Sequence, residues 1–270
     1  MKLKFSILIL LSIILTSTFT NCKKDDGTNR IQINLFTIED DKKLGLQVSD
    51  EIAADPLQFP LLDEAKYATA YSHLRRITDN ILNNATMKHR NDFLWQTKII
   101  HNDSVLNAFC TPGGYIYVYT GLIKYLDSED QLAGVLGHEI AHADERHTTE
   151  AMTTALGRDL LIKMILGDSS LAGQLTTGLL GLKYGRGSET EADLRSVEYL
   201  NKTELDARGV GRFFEKLIAS GQADGPQFLS THPNPDNRVE AITNKWKELG
   251  SKVGETFPTR YLEFKNSLPK

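Results

Sequence analysis

The 270 residues include 24% charged and 40% hydrophobic side chains with 20 Gly and 8 Pro, which excludes collagen-like, low-complexity and wholly disordered chains. The net charge of −4, from 31 basic and 35 acidic residues, lacks the basic surplus of a nucleic-acid binder, so no nucleic-acid partner is expected. Two cysteines cannot staple a small disulfide scaffold.

Lys2 and Lys4 precede the apolar run FSILILLSIIL, and a polar stretch follows to Asn21-Cys22. A basic start, a short apolar core and a polar end describe a secretory signal; the core is too short to span a bilayer, which takes about twenty apolar residues. The cysteine closing this segment resembles the lipobox of bacterial lipoproteins, with Phe19 and Asn21 in place of the usual Leu and small residue. That resemblance implies cleavage before Cys22 and acylation of Cys22, which would leave Cys110 without a disulfide partner; ordinary signal-peptidase cleavage is the alternative. Residues 1–21 therefore read as a signal peptide, and 22–30 as a lipidated cysteine with a charged linker. Its Lys-Asp-Asp resembles a surface-export signal, but three residues are weak evidence and a plain charged linker is the preferred reading.

Ile31 to Phe36 alternates apolar and polar residues, as a short strand or extended arm does. Leu44–Ala54 and Glu64–Asn83 have helical character, separated by breaks at Asp55-Pro56 and Phe59-Pro60. Phe93–Ile100 reads as a strand. In Tyr115-Ile-Tyr-Val-Tyr119 a period of two puts the tyrosines on one face, the pattern of a half-buried strand. Ser128-Glu-Asp-Gln131 has the form of a capping box opening a helix to about His147, whose imidazole would then sit at the helix C-terminus. Between Thr148 and Lys183 two apolar stretches read as packed helices, since charges interrupt them. Ser188-Glu-Thr-Glu191 predicts another capped helix, and Asn234-Pro235 the start of one running to Lys247. His73, His89 and His101 read as surface residues.

His138-Glu139-Ile140-Ala141-His142 is HExxH inside the predicted helix. Residues i and i+4 share a helical face, so both imidazoles reach one ion, while Glu139 stands about 100° around, suited to act on metal-bound water. The helix is free to be continuous, because no proline falls between Pro112 and Pro226. Chance supplies this motif only about 0.01 times in such a composition, against about 0.5 for the ExxxD found at Glu189–Asp193. A catalytic zinc needs a third protein ligand. Glu189 is the candidate, with Asp193 one turn on to accept a hydrogen bond from a ligating histidine; Glu191 is the rival ligand, and helix-dipole pairing the alternative role for Glu189.

HEIAHADERH followed by GRGSETEADLRSVEYL resembles the HtpX and CAAX-prenyl-protease type of zinc metallopeptidase, especially its soluble periplasmic lipoprotein members. INLFTIEDDKKLG, NAFCTPGGYIYVYTGLI and LSTHPNPDNRVEAI extend the likeness from about Ile33 to Ile242. The resemblance implies an α+β, mostly helical gluzincin domain over 31–266, with an active-site helix and a small sheet. It implies one Zn2+ per chain on His138, His142 and Glu189, Glu139 as catalytic base, and Asp193 behind a ligand. His232 and Arg238 are implied near the site as oxyanion donors, or His232 as an extra ligand that holds the enzyme latent. The tyrosine strand would hold an extended substrate at a sheet edge. The expected function is a zinc-dependent endopeptidase of the bacterial cell envelope, lipid-anchored at the outer membrane on its periplasmic or surface face. Its expected partners are unfolded or misassembled proteins and outer-membrane assembly machinery. A zinc-binding envelope chaperone with little or latent proteolysis is the alternative; an intact Glu139 argues against it.

Overall fold

The computed structural model describes residues 33–155, 163, 176–179, 181–221, 227–232 and 237–270. Thr37 and Asp40 exchange the reciprocal bonds of a capping box and open helix α1, Ile38–Ala54, six residues earlier than the apolar pattern predicts. Ahead of it, residues 33–37 form an arm without regular structure, so of the two readings of this stretch the extended arm holds. Helix α2, Ala68–Asn84, follows the two proline breaks and buries Ala70, Leu74, Ile77 and Ile81 on one stripe.

Strands β1 (Gln96–Ile100), β2 (Ala108–Thr111) and β3 (Tyr115–Tyr119) form a sheet of order β1-β3-β2. β3 runs parallel to β1 and antiparallel to β2. Gly113 and Gly114, at φ +78° and +88°, make the tight β2–β3 turn that side-chain-bearing residues resist. Alternation along β3 is as predicted: Ile116 and Val118 join one core with α2, while the three tyrosines join Phe109 and α1's Val48 and Ile52 in a second. All five β3 residues are buried, so the strand is covered on both faces rather than half-exposed. It is also central. Among the described residues β2 is the edge strand with no further bridge, since Leu61 pairs with Ile100 beyond β1, which corrects the placement of a substrate along 115–119.

Helix α3 (Thr120–Tyr125) leads to α4 (Glu129–Asp144), whose every residue is buried. Gly134 and Gly209 permit its close crossing: a Cβ on Gly134 would lie 2.0 Å from Val210 N, and one on Gly209 1.9 Å from Asp130 O. The helix begins after Ser128 as expected, but that side chain bonds Asp130 (2.6 Å) and Gln131 accepts from Asp127 N (2.8 Å), so the capping box does not form. α4 stops at Asp144 because Arg146 turns left-handed (φ +61°). Three hydrogen bonds hold that turn, two to Asp41 (2.5 and 3.1 Å) and one to Phe36 O (2.6 Å). His147 therefore opens α5 (His147–Ala155) instead of closing α4.

Helix α6 (Arg186–Leu200) starts after Gly185, so Ser188 is inside the helix and does not cap it. Helices α7 (Gly209–Ala219), α8 (Gln227–Thr231), α9 (Arg238–Glu248) and α10 (Pro258–Asn266) complete the described elements. α9 begins at Arg238 after Asn237, and Asn234-Pro235 lie outside the described residues, as does most of the stretch predicted as packed helices before Lys183. Of the predicted surface histidines, His101 is exposed, whereas His73 is half-buried and stacks on Phe264. Among the described residues no helix is long and apolar enough to cross a membrane. The molecule is mostly helical with a small mixed sheet, the class the sequence predicts.

Candidate metal centre

α4 supplies His138, Glu139 and His142, α6 supplies Glu189 and Asp193, and His232 follows the single turn of α8. His138 Nε2 lies 3.0 Å from His142 Nε2 and 3.3 Å from His232 Nδ1. Glu189 Oε1 lies 3.1 Å from His232 Nδ1 and 3.4 Å from His142 Nε2. One ligand atom from each of these four residues falls within 4.8 Å of the others, and all four side chains are buried. The backbone of His232 is set by its N–H donating to Phe228 O (2.8 Å), and its ring by stacking on Phe228 at 4.4 Å.

This donor set fits a metal ion. Three imidazole nitrogens and a carboxylate oxygen are the ligand types of tetrahedral zinc. Burying these groups together is costly unless a cation neutralises them. Both carboxylate oxygens of Glu139 and Oε2 of Glu189 are buried without a hydrogen-bond partner, the condition expected of groups arranged around an ion or its ligand.

Burial lowers His138 and His142, the second well below the usual imidazole range with His138 adding to the effect. Burial alone would raise Glu189, but His232, His142 and His138 around it hold it well below the usual carboxylate range. Burial pushes Glu139 up to about 7 against the pull of His232, whose Nε2 lies 3.4 Å from Glu139 Oε1. His232 loses basicity to burial but gains more from Glu189 and Glu139, so its net shift is upward.

Asp193 Oδ1 lies 2.9 Å from His138 Nδ1, the ring nitrogen turned away from the cluster. Arg238 donates to both Asp193 oxygens, 2.6 Å each, and stacks on Phe214 at 4.0 Å. Arg238 thus orients Asp193 through Nε and Nη2, while its Nη1 is buried without a hydrogen-bond partner. Glu191, the rival ligand, is outside the cluster and faces His147 Nε2 at 3.2 Å. His147 Nδ1 in turn lies 3.0 Å from His142 Nδ1. That contact was illegible in sequence, because a continuous α4 would carry residue 147 off this face. Tyr184 lies in no motif that signals a site, yet its ring stacks on His142 at 3.9 Å and its hydroxyl lies 3.0 Å from Thr148 Oγ1. Cys22 lies outside the described residues; Cys110 is buried with a free thiol beside Glu139.

Residues 68–246 match the profile of peptidase family M48. The mitochondrial metalloendopeptidase OMA1 of Arabidopsis thaliana is 32% identical over 162 residues, covering 58% of this chain and 33% of that protein. The beta-barrel assembly-enhancing protease of Escherichia coli K12 is 31% identical over 182 residues, covering 61% and 37%. The OMA1 protein of Schizosaccharomyces pombe is 26% identical over 253 residues, covering 89% and 73%. The chain spans about a third of the length of the first two. The M48 match covers the sheet, the HExxH helix, the ExxxD helix and Arg238 in one run, and on that ground the chain belongs to peptidase family M48.

Proposed function

We propose that this protein is a zinc-dependent endopeptidase with His138, His142 and Glu189 as metal ligands and Glu139 as general base. The observation that carries the reading is Glu139 itself: a fully buried carboxylate next in sequence to a ligand, neither of whose oxygens is hydrogen-bonded and whose Oε1 faces His232 Nε2 at 3.4 Å. A pure metal-binding module has no need of such a group. When bound, zinc acidifies a water molecule and polarises a carbonyl. Glu139 takes the proton of the attacking water and passes it to the departing amine, the two transfers for which a pKa near the working pH is best matched. Asp193, held by Arg238, fixes the His138 tautomer, and His147 does the same for His142. An extended peptide would lie along the free edge of β2, where main-chain bonds give affinity without strict sequence selection. Cleavage of unfolded casein by the zinc-loaded protein tests this; activity must vanish in Glu139→Gln, and equal cleavage by that variant would sink the proposal.

The second reading, a latent enzyme or chaperone, rests on His232. Its Nδ1 adds a fourth protein donor to the cluster, and four-ligand sites are closed whereas catalytic ones keep a position open. We take His232 as the group that must withdraw before substrate enters. His232→Ala should then raise casein cleavage severalfold, and unchanged or lost activity would refute the latch.

The signal segment and Cys22 support a lipid-anchored protein of the bacterial envelope, with residues 31–266 as the catalytic domain. The name of the Escherichia coli relative supports misassembled outer-membrane proteins and their assembly machinery as clients and partners. Loss of palmitate labelling in Cys22→Ser would bear out the anchor; retained labelling would overturn it.

A further inference from the structure

A cavity of about 250 Å³ opens beside the metal centre, with His232, Tyr184 and Cys110 at its inner end. Its walls combine apolar residues, among them Val105, Phe109 from β2, Tyr119 from β3 and Leu182, with the uncharged polar Gln58 and Gln227. At about 30 Å³ per water, it has room for the benzyl or branched aliphatic group of one residue. Among the described lining residues no Lys, Arg, Asp or Glu occurs, so apart from His232, already paired with Glu139 and Glu189, a charged guest finds no counter-ion there.

Two further atoms point to a peptide as the occupant. Asn107 and Thr111 bracket β2, line the same cavity, and are 3% and 1% exposed. Asn107 Oδ1 and Thr111 Oγ1 are buried without a hydrogen-bond partner. Both atoms are closed to water in the free protein, so an extended main chain beside β2 would satisfy them only on a small opening of that edge. Alternate side chains of such a strand point to one face, so a peptide beside β2 would direct one side chain toward the cavity.

We propose that this cavity is a specificity pocket selecting substrates with a large apolar residue, aromatic or branched aliphatic, next to the cleaved bond. The proposal rests on the peptidase reading above and adds what the enzyme prefers to cut. Such residues are buried in folded proteins and accessible in unfolded ones, so the pocket itself would favour unfolded chains.

The test uses the full-length zinc-loaded protein in detergent and a peptide series with Phe, Leu, Ala or Glu at each position flanking one bond. The Phe and Leu peptides should be cleaved with kcat/KM about tenfold or more above Ala, and Glu should be poorest. Val105→Phe, which narrows the cavity at its half-buried wall, should shrink the Phe-to-Ala ratio. Binding of the same peptides to Glu139→Gln, read by fluorescence anisotropy, should follow the same order. Cleavage without preference for apolar residues overturns the pocket and leaves the peptidase standing. Ordered binding without cleavage by the wild-type protein does the reverse, and equal binding of all four peptides overturns the pocket whatever the activity.

Discussion

His147 shows how one side chain can serve a metal without touching it. For His142 Nε2 to face the cluster as a ligand, its proton must sit on Nδ1, so the His147 Nδ1 at 3.0 Å accepts it. The His147 proton then lies on Nε2, facing Glu191 at 3.2 Å. A neutral imidazole thus stands between the ligand and a carboxylate, whereas on the other side Asp193 meets His138 directly. Removing such a partner typically costs 10- to 100-fold in metal affinity. His147→Ala is therefore expected to weaken zinc binding by about that factor in a chelator competition, while His147→Asn, whose amide oxygen can replace Nδ1 as acceptor, keeps most of it. Two neighbouring acids at the start of α4 make a different residue-scale prediction. Burial would raise Glu129, but Arg76 and Arg260, bonded at 2.5–2.8 Å, hold it below its usual 4.5. Its contribution is present above pH 4.5 and is lost as the pH falls through the lowered value. Burial pushes Asp130 up to about 6 despite Ser128 and Arg212, so its effect has the opposite sign, full below 3.8 and lost as the pH rises through about 6. Glu129→Gln should cost about 2–3 kcal/mol near neutrality, less than a wholly buried pair because both arginines are partly hydrated, and the deficit should close in acid. Asp130→Asn should flatten the fall in melting temperature between about pH 4 and 6. Denaturation across this pH range reads both variants.

Among the elements, the crossing of α4 on α7 depends on having no side chain at residue 134. A methyl there would lie 2.0 Å from backbone nitrogen, which no rotamer change can relieve. Gly134→Ala should cost about 3 kcal/mol or more, beyond ordinary overpacking, read as a lower denaturation midpoint. How far the elements were legible follows from the signals each one carries. α4, α2 and β3 were plain because their apolar periods run unbroken and one of them carries HExxH. α1 began earlier than its apolar stripe because Thr37 and Asp40 cap six residues ahead of Leu44. The end of α4 was hidden, since only the distant Asp41 and Phe36 carbonyl hold Arg146 in its left-handed turn. Ser128 matched a capping pattern whose bonds went to other near neighbours, Asp130 and Asp127, and Ser188 matched one inside a helix that had already begun at Arg186. The order of the strands, which makes β2 the edge, is a tertiary fact that periodicity does not encode.

For the whole molecule, a single ion would join two helices and the residue after a third. Anything bound to the native state alone stabilises it by mass action, about 4 kcal/mol when free ligand exceeds its Kd a thousandfold. In a domain of this size that corresponds to roughly 10 °C. Stripping zinc with a chelator should lower the melting temperature by about that amount and readdition should restore it, followed by calorimetry; an unchanged transition would show that the cluster holds no metal under those conditions. The ligand motifs were legible because HExxH and ExxxD each sit within one helix. The neighbours that orient them, His147, Tyr184 and Arg238, come from separate segments whose meeting only the fold decides.

The left-handed turn at Arg146 joins matters that are far apart in the chain. It takes its hold from Asp41 and the Phe36 carbonyl, and Asn34 of the same arm bonds Thr149 at 2.9 Å. One residue further on, His147 braces His142, a proposed metal ligand. The N-terminal arm and the zinc site are therefore links in series, and tension applied to the arm would be felt at His142. If residues 22–30 do tether the protein to a membrane, the leash is fastened to the catalytic machinery itself, and the force on it becomes a quantity the enzyme can register.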